Sequence, residues 1–334
     1  MRAPSRSRVP WCWSRYSSPP SCSTTSSTGS TWRKSGRCAE RSRNATPMKE
    51  TLALAYSVFK IRIGTAIMLT ALAGVAVAPG PAPAAWQIAV LAVAVLLSSA
   101  SAGAFNQYME RDLDAHMQRT RNRPFVTGRF SADGYWLAGI VLLLACAVAA
   151  AALATNTMAA CYVFLGAFFY GVVYTVWLKR RTWMNIVIGG LAGSFAVLAG
   201  AAAVDPGLAP APVILAVVLF LWTPPHFWSL AFKYKDQYSA AGVPMLPVVV
   251  HDATAARIIL AHTVILVALS LLPFLYGLGW IYLLGAAAGG GWFVWTSIGL
   301  VRNPSAAAAM TNFHASLLQL SLLLVAAILD AWLN

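Results

Sequence analysis

Apolar residues fill this chain in blocks of about twenty, separated by short polar or Gly- and Pro-containing connectors. Nine blocks reach the length that a helix needs to cross a bilayer, near residues 61–78, 86–105, 134–154, 158–178, 184–203, 212–232, 257–277, 279–300 and 312–333. Runs this long predict helices rather than the strands of a barrel, because each helix satisfies its own backbone hydrogen bonds in lipid. The expected fold is all-α: a polytopic membrane helix bundle of about nine transmembrane helices.

Composition strengthens that reading. Of the 334 residues 59% are hydrophobic and only 10% charged, against about a quarter charged in soluble domains. Of the 24 Lys and Arg, nine precede Met48, and the other fifteen fall before the first block or at the loops after the second, fourth, sixth and eighth. The alternate connectors, such as "PGPAPAA", "TNT" and "DPGLAPAP", carry none. The positive-inside rule then places the N-terminus and the charged loops in the cytoplasm and the C-terminus outside, as an odd number of spans requires. The net charge of +14 reads as topology plus tail, not as a nucleic-acid surface.

Residues 1–47 are of different material, rich in Ser and Arg, with Glu40 as their only acid. They are expected to be a disordered extension, or a segment upstream of a start at Met48, with residues 48–334 as the working domain. An acid-poor mitochondrial presequence is the alternative. A bacterial inner (plasma) membrane is the expected location, with the mitochondrial inner membrane as its counterpart. Cys146 and Cys161 fall inside blocks and are expected to be small buried apolar residues. The five cysteines show no metal-ligand or disulfide spacing.

One stretch breaks the apolar monotony: "NQYMERDLDAHMQRTRNRP", residues 106–124, with three carboxylates and four arginines in nineteen residues. Asn106, Glu110 and Asp114 stand at i, i+4 and i+8, on one face of a helix continuing out of the second block, while Asp112 projects elsewhere. Three oxygen-bearing side chains on a stripe suit Mg²⁺, which takes one or two carboxylates and completes its shell with phosphate oxygens and water. Arg119 and Arg123, again four apart, suit bidentate recognition of phosphate. The pattern describes a seat for a metal-bound diphosphate; its alternative is a solvated loop whose arginines enforce topology. A second charged loop, "HFWSLAFKYKDQYSAAGVPMLPVV" (residues 226–249), emerges on the same face. It carries Lys233, Lys235, Asp236 and Tyr238, and its acid and two lysines are expected to close such a site from the opposite side.

The first stretch resembles the N-x-x-x-D-x-x-x-D loop of the intramembrane (UbiA-type) prenyltransferase superfamily. Its "R-D-x-D-x-x-M-x-R-T-x-x-R-P" form is similar to the protohaem IX farnesyltransferases. So are "LKRRTWMNIVIGGLAGS" (178–194), "WTPPHFWSLA" (222–231) and "YSAAGVPMLPVV" (238–249), so that the likeness spans roughly residues 50–334. Glu110 stands where that family usually has Asp, and Ala240 stands where quinone-type relatives carry a second Asp. "SFAVLAG" lacks a proline pair associated with its block.

The resemblance implies farnesyl diphosphate as donor and haem b as acceptor, giving haem O, with haem A synthase as a possible partner and the bilayer as solvent. Mg²⁺ would be held by Asn106, Glu110, Asp114 and Asp236, with Arg119, Arg123, Lys179 and Lys235 on the diphosphate. His226 is either a haem contact or a hydrogen-bonded structural residue. Asn185 is either a substrate contact or a helix–helix bond, and Tyr170 and Tyr174 are either a chamber wall or interfacial aromatics. Pro224 and Pro225 are expected to break the sixth span, and Gly189, Gly190 and Gly193 to allow close packing. Other readings are a prenyltransferase for a quinone precursor or chlorophyllide, and a transporter. A transporter usually places ionisable groups near the midplane, whereas the first eight blocks are essentially uncharged between their ends.

Overall fold

Helices account for every apolar block, and no strand occurs among the described residues. The computed structural model describes residues 47–333; the tail assigned to residues 1–47 lies outside them except for its last residue. In chain order the elements are α1 (Pro47–Val58), α2 (Ile61–Val77), α3 (Ala85–Met109), α4 (Arg111–Ala115) and α5 (Gly134–Ala154). Next come α6 (Thr157–Phe168), running on as a π-helix over Phe169–Leu178, then α7 (Asn185–Gly189) and α8 (Leu191–Val204). They are followed by α9 (Pro210–Lys233), α10 (Lys235–Ala240), α11 (Leu246–Val249) and α12 (Asp252–Leu271), which ends in a 3₁₀ turn. The last two are α13 (Trp280–Arg302) and α14 (Ala306–Leu333).

Among the described residues eight helices are long and apolar enough to cross a membrane, or nine when the bent pair Lys49–Val58 and Ile61–Val77 counts as one span. The two members of that pair meet at 51°, and Lys60 between them holds the left-handed conformation (φ 48°). The chain is an integral membrane protein, and the span boundaries fall within a few residues of the apolar blocks.

Small residues let the helices approach. A Cβ on Gly74 of α2 would lie 2.1 Å from the carbonyl oxygen of Val197, and one on Gly200 of α8 only 1.9 Å from that of Ala71. Backbones therefore touch where α2 crosses α8, a contact that small residues alone permit in a membrane bundle. Gly189 and Gly190 are also closely covered, by Tyr174 and Thr223, whereas Gly193 faces open space. Interhelical hydrogen bonds join the C-terminal helices: Asn312 accepts from Thr296 (2.9 Å) and Ser297 (2.8 Å) and donates to Ser229 (3.0 Å). Asp330, the one acid inside an apolar block and near the end of the ninth, accepts from the backbone N–H groups of Gly279 (2.5 Å) and Tyr282 (3.2 Å). It serves the orphan donors at the start of α13.

Besides that of close packing at Gly193, two further expectations are corrected. Pro224 and Pro225 lie inside a continuous α9 and do not break it. Each proline withholds one N–H from the helix ladder, yet a helix in lipid gains nothing by unravelling, and its neighbours can accommodate the freed carbonyls. Cys146 and Cys161 are exposed on the outside of the bundle rather than buried. Each sits beside the buried stripe of its helix, which runs through Ala147 in α5 and through Ala160 and Val163 in α6.

Candidate active site

The expected helix through the charged stretch is broken, but its stripe survives. α3 ends at Met109, Glu110 is the junction residue (φ −100°, ψ 13°), and α4 starts at Arg111. Helical hydrogen bonds bridge the junction, from Glu110 N–H to Asn106 O (3.0 Å) and from Asp114 N–H to Glu110 O (2.8 Å). Asn106, Glu110 and Asp114 thus share one side; all three are buried and all line the same cavity. Asp112 faces away as expected, exposed and bound bidentately by Arg180 at 2.7 and 2.6 Å. The Arg180 hydrogen bond is the main cause holding the Asp112 carboxyl below its ordinary value.

Each side chain of the stripe meets a cation. Lys60 Nζ donates to Asn106 Oδ1 at 2.6 Å, Lys179 Nζ pairs with Glu110 Oε2 at 2.6 Å, and Arg123 pairs with Asp114 Oδ2 at 2.6 Å. Arg119 lines the cavity too, from an exposed position. Four cations therefore face two carboxylates, which makes this end of the cavity an anion site. Glu110 Oε1 is buried and has no hydrogen-bond partner. An ionised oxygen left bare in this way is costly, and it is a free ligand position for a cation.

The π-helix shapes the wall. Its i→i+5 bonding, seen in Lys179 N–H to Tyr174 O at 2.9 Å, brings Tyr170 and Tyr174 onto the cavity with their rings stacked 5.6 Å apart. Such widened turns are frequent at functional sites. Thr175 Oγ1 donates to Tyr170 O (2.8 Å) and accepts from Asn106 Nδ2 (3.0 Å). That contact turns the Asn106 amide oxygen towards Lys60. Away from the charged end the cavity, about 210 Å³, is lined by apolar side chains such as Ile63, Ile67, Val95, Val163 and Ala196.

The second loop contributes differently from expectation. Tyr238 of α10 is buried and lines the cavity, whereas Asp236 is exposed and outside it. At about 100° per residue, two positions separate these side chains by more than half a turn, so only one of them can face inward. Lys235 pairs with Asp252 at 2.6 Å and is likewise outside the cavity. His226 is stacked between Trp222 (4.2 Å) and Phe313 (4.5 Å), with Nδ1 2.7 Å from Ser316 Oγ. It does not line the cavity, but its neighbour Phe227 does. Asn185 is fully buried and donates to the carbonyls of Thr182 (2.7 Å) and Lys179 (3.3 Å), closing the turn that leads into α7. Sequence reasoning missed Lys60 and Thr175, because neither belongs to the charged loops, and it noted Tyr238 in the second loop without giving it a role.

Comparison with known proteins gives the family. Residues 67–322 match the UbiA prenyltransferase family. Protoheme IX farnesyltransferase 2 of Paramagnetospirillum magneticum is 58% identical over 283 residues, covering 85% of this chain and 98% of that protein. Protoheme IX farnesyltransferase 1 of the same organism is 49% identical, covering 82% and 96%. Among solved structures, a digeranylgeranylglyceryl phosphate synthase superposes with a TM-score of 0.71 at 18% identity, covering 85% of this chain and all of that one. A UbiA homologue from Archaeoglobus fulgidus bound to GPP and Mg²⁺ superposes at 0.62 and 18% identity, covering 82% and 99%. With a helical bundle, a charged cavity mouth and relatives matched over nearly their whole length, this chain belongs to the UbiA prenyltransferase family.

Proposed function

We propose that this chain transfers the farnesyl group of farnesyl diphosphate to a vinyl group of protohaem IX, forming haem O. One observation carries the reading: the stripe of Asn106, Glu110 and Asp114, each side chain met by a cation, closes one end of an otherwise apolar cavity. A diphosphate belongs at the charged end and a hydrocarbon tail in the remainder. Along α3 the lining runs from Asn106 back to Val95, roughly 16 Å at about 1.5 Å rise per residue. Tetrahedral carbons joined by bonds of about 1.5 Å advance about 1.3 Å each, so that length holds about a dozen carbons, the main chain of a farnesyl group. The acceptor is inferred from the two farnesyltransferase relatives.

Asn106, Glu110 and Asp114 are the residues that would hold Mg²⁺, and the bare Glu110 Oε1 fits that role. When bound, the ion supplies charge neutralisation of the departing diphosphate. Lys179, Arg119 and Arg123 would take phosphate oxygens in charge-assisted hydrogen bonds, stabilising the charge that develops as the allylic C–O bond breaks. The apolar walls keep water from the farnesyl cation, and the faces of Tyr170 and Tyr174 favour positive charge. The vinyl π electrons form the new C–C bond; water then adds to the resulting cation and loses a proton, leaving the hydroxyl.

Purified protein incubated with haem b, farnesyl diphosphate and Mg²⁺ should yield, by mass spectrometry, haem heavier by a farnesyl group and a hydroxyl. Unchanged haem there, with a quinone precursor prenylated when it is supplied in a parallel incubation, would favour the quinone-type reading instead. The proposed orientation in a bacterial inner membrane puts this cavity mouth at the cytoplasmic face, where basic loops are retained. A reporter fused after Arg181 should accordingly read as cytoplasmic and one after Asn334 as external; the reverse pair would overturn it.

A further inference from the structure

Lys60 is not in the charged loops, yet several independent features deliver its ammonium to the stripe. It adopts a left-handed backbone (φ 48°, ψ 42°) that non-glycine residues rarely take, and strain of this kind persists where surrounding structure enforces it. Its stem lies along α3 at Gly103, where an added Cβ would come within 3.2 Å of Lys60 Cδ. Its Nζ donates to both Asn106 Oδ1 (2.6 Å) and Tyr170 OH (3.0 Å). Asn106 is in turn oriented by Thr175 so that its amide oxygen meets Lys60.

That oxygen is the one a metal ion on the stripe would need. At the other two positions one carboxylate oxygen each is taken by the chain's own cations, Lys179 on Glu110 and Arg123 on Asp114, and Glu110 Oε1 is left bare. With Arg119, the mouth carries two more positive than negative side chains. A bare divalent cation meets repulsion there, and a diphosphate meets attraction.

Building on the prenyl-diphosphate reading, we propose that Lys60 is a diphosphate-binding residue which, in the unloaded site, occupies the Asn106 oxygen in place of the metal. Diphosphate draws Lys60 off Asn106, as it draws Lys179 and Arg123 off the carboxylates, and so opens the seat for Mg²⁺. Metal and diphosphate then bind with positive coupling, each raising the affinity of the other by the same factor. Asn106 is neutral, so Lys60 exchanges partners there without leaving a buried carboxylate unpaired.

Calorimetric titration of the detergent-solubilised full chain tests this with Mg²⁺ and inorganic diphosphate as probes, corrected for their association in buffer. In the wild type, saturating diphosphate should raise Mg²⁺ affinity by about tenfold or more, within the usual range of such couplings. Lys60→Met should weaken diphosphate binding by about tenfold to a hundredfold, the worth of a charge-assisted hydrogen bond. The same variant should bind Mg²⁺ alone more tightly than the wild type, because the competitor for Asn106 is gone. Lys60→Arg should retain most of the diphosphate affinity. A merely structural Lys60 would lower both affinities together, and that result overturns the proposal, as does unchanged diphosphate binding in Lys60→Met. Should gel filtration show Lys60→Met misfolded, Lys60→Gln replaces it, and wild-type protein without coupling is enough to overturn the idea. Wild type that binds no Mg²⁺–diphosphate at all would sink the transferase reading itself, whereas undiminished binding by the variant sinks only the role of Lys60.

Discussion

Asp114→Ala should lower turnover by about a hundredfold to a thousandfold, the usual cost of removing one group that stabilises transition-state charge, while Asp112→Ala should stay within about threefold of wild type. The two acids are neighbours in sequence and opposites in place. Asp114 is buried, lines the cavity and holds Arg123 at 2.6 Å. Its loss removes a proposed metal ligand and also frees the arginine that faces the phosphate. Asp112 is exposed and tied to Arg180 outside the cavity, and exposed ion pairs contribute about 0–1 kcal/mol. Steady-state assays at matched membrane expression, repeated across a Mg²⁺ titration, separate the cases. An inactive Asp112→Ala beside an active, Mg²⁺-dependent Asp114→Ala would refute the assignment of the stripe.

The spans were legible because lipid leaves a chain few choices: an apolar run of this length must bond its own backbone, and helices do so locally. The stripe was legible for a similar reason, since four-residue spacing specifies one face, and the hydrogen bonds across Glu110 preserve that face through a break in the helix. Lys60 was not legible. It lies 46 residues from Asn106, and a basic residue ahead of a first span reads as an orientation signal. Its reach depends on a left-handed residue at a 51° bend, which no periodicity announces. In the second loop charge misled: it pointed to Lys235 and Asp236, but burial selects Tyr238 as the inward-facing residue of α10. The proline pair misled because the helix-breaking rule belongs to water, where a broken helix can be solvated, and α9 has no such outlet.

Lys179→Met should destabilise the protein by about 3–5 kcal/mol, the cost of stranding one partner of a buried ion pair, and should abolish turnover. Lys179 is the close ion-pair partner of Glu110, at 2.6 Å, with side-chain exposures of only 13% and 3%. The second oxygen of Glu110 already lacks a partner, so the variant leaves a buried carboxylate with neither oxygen served. The double variant Glu110→Gln/Lys179→Met should recover most of the lost stability, because replacing both members of a buried pair removes the stranded charge along with its partner. It should remain inactive, since the site keeps only one of the two carboxylates that would offset the charge of Mg²⁺ and methionine offers nothing to phosphate. Thermal unfolding in detergent reads the first effect and farnesyl transfer the second. If the double variant unfolds as readily as Lys179→Met, the cost lies in lost packing around the lysine stem rather than in the unpaired charge. If it regains both stability and activity, the pair serves the fold alone, and Glu110 has no part in holding the metal.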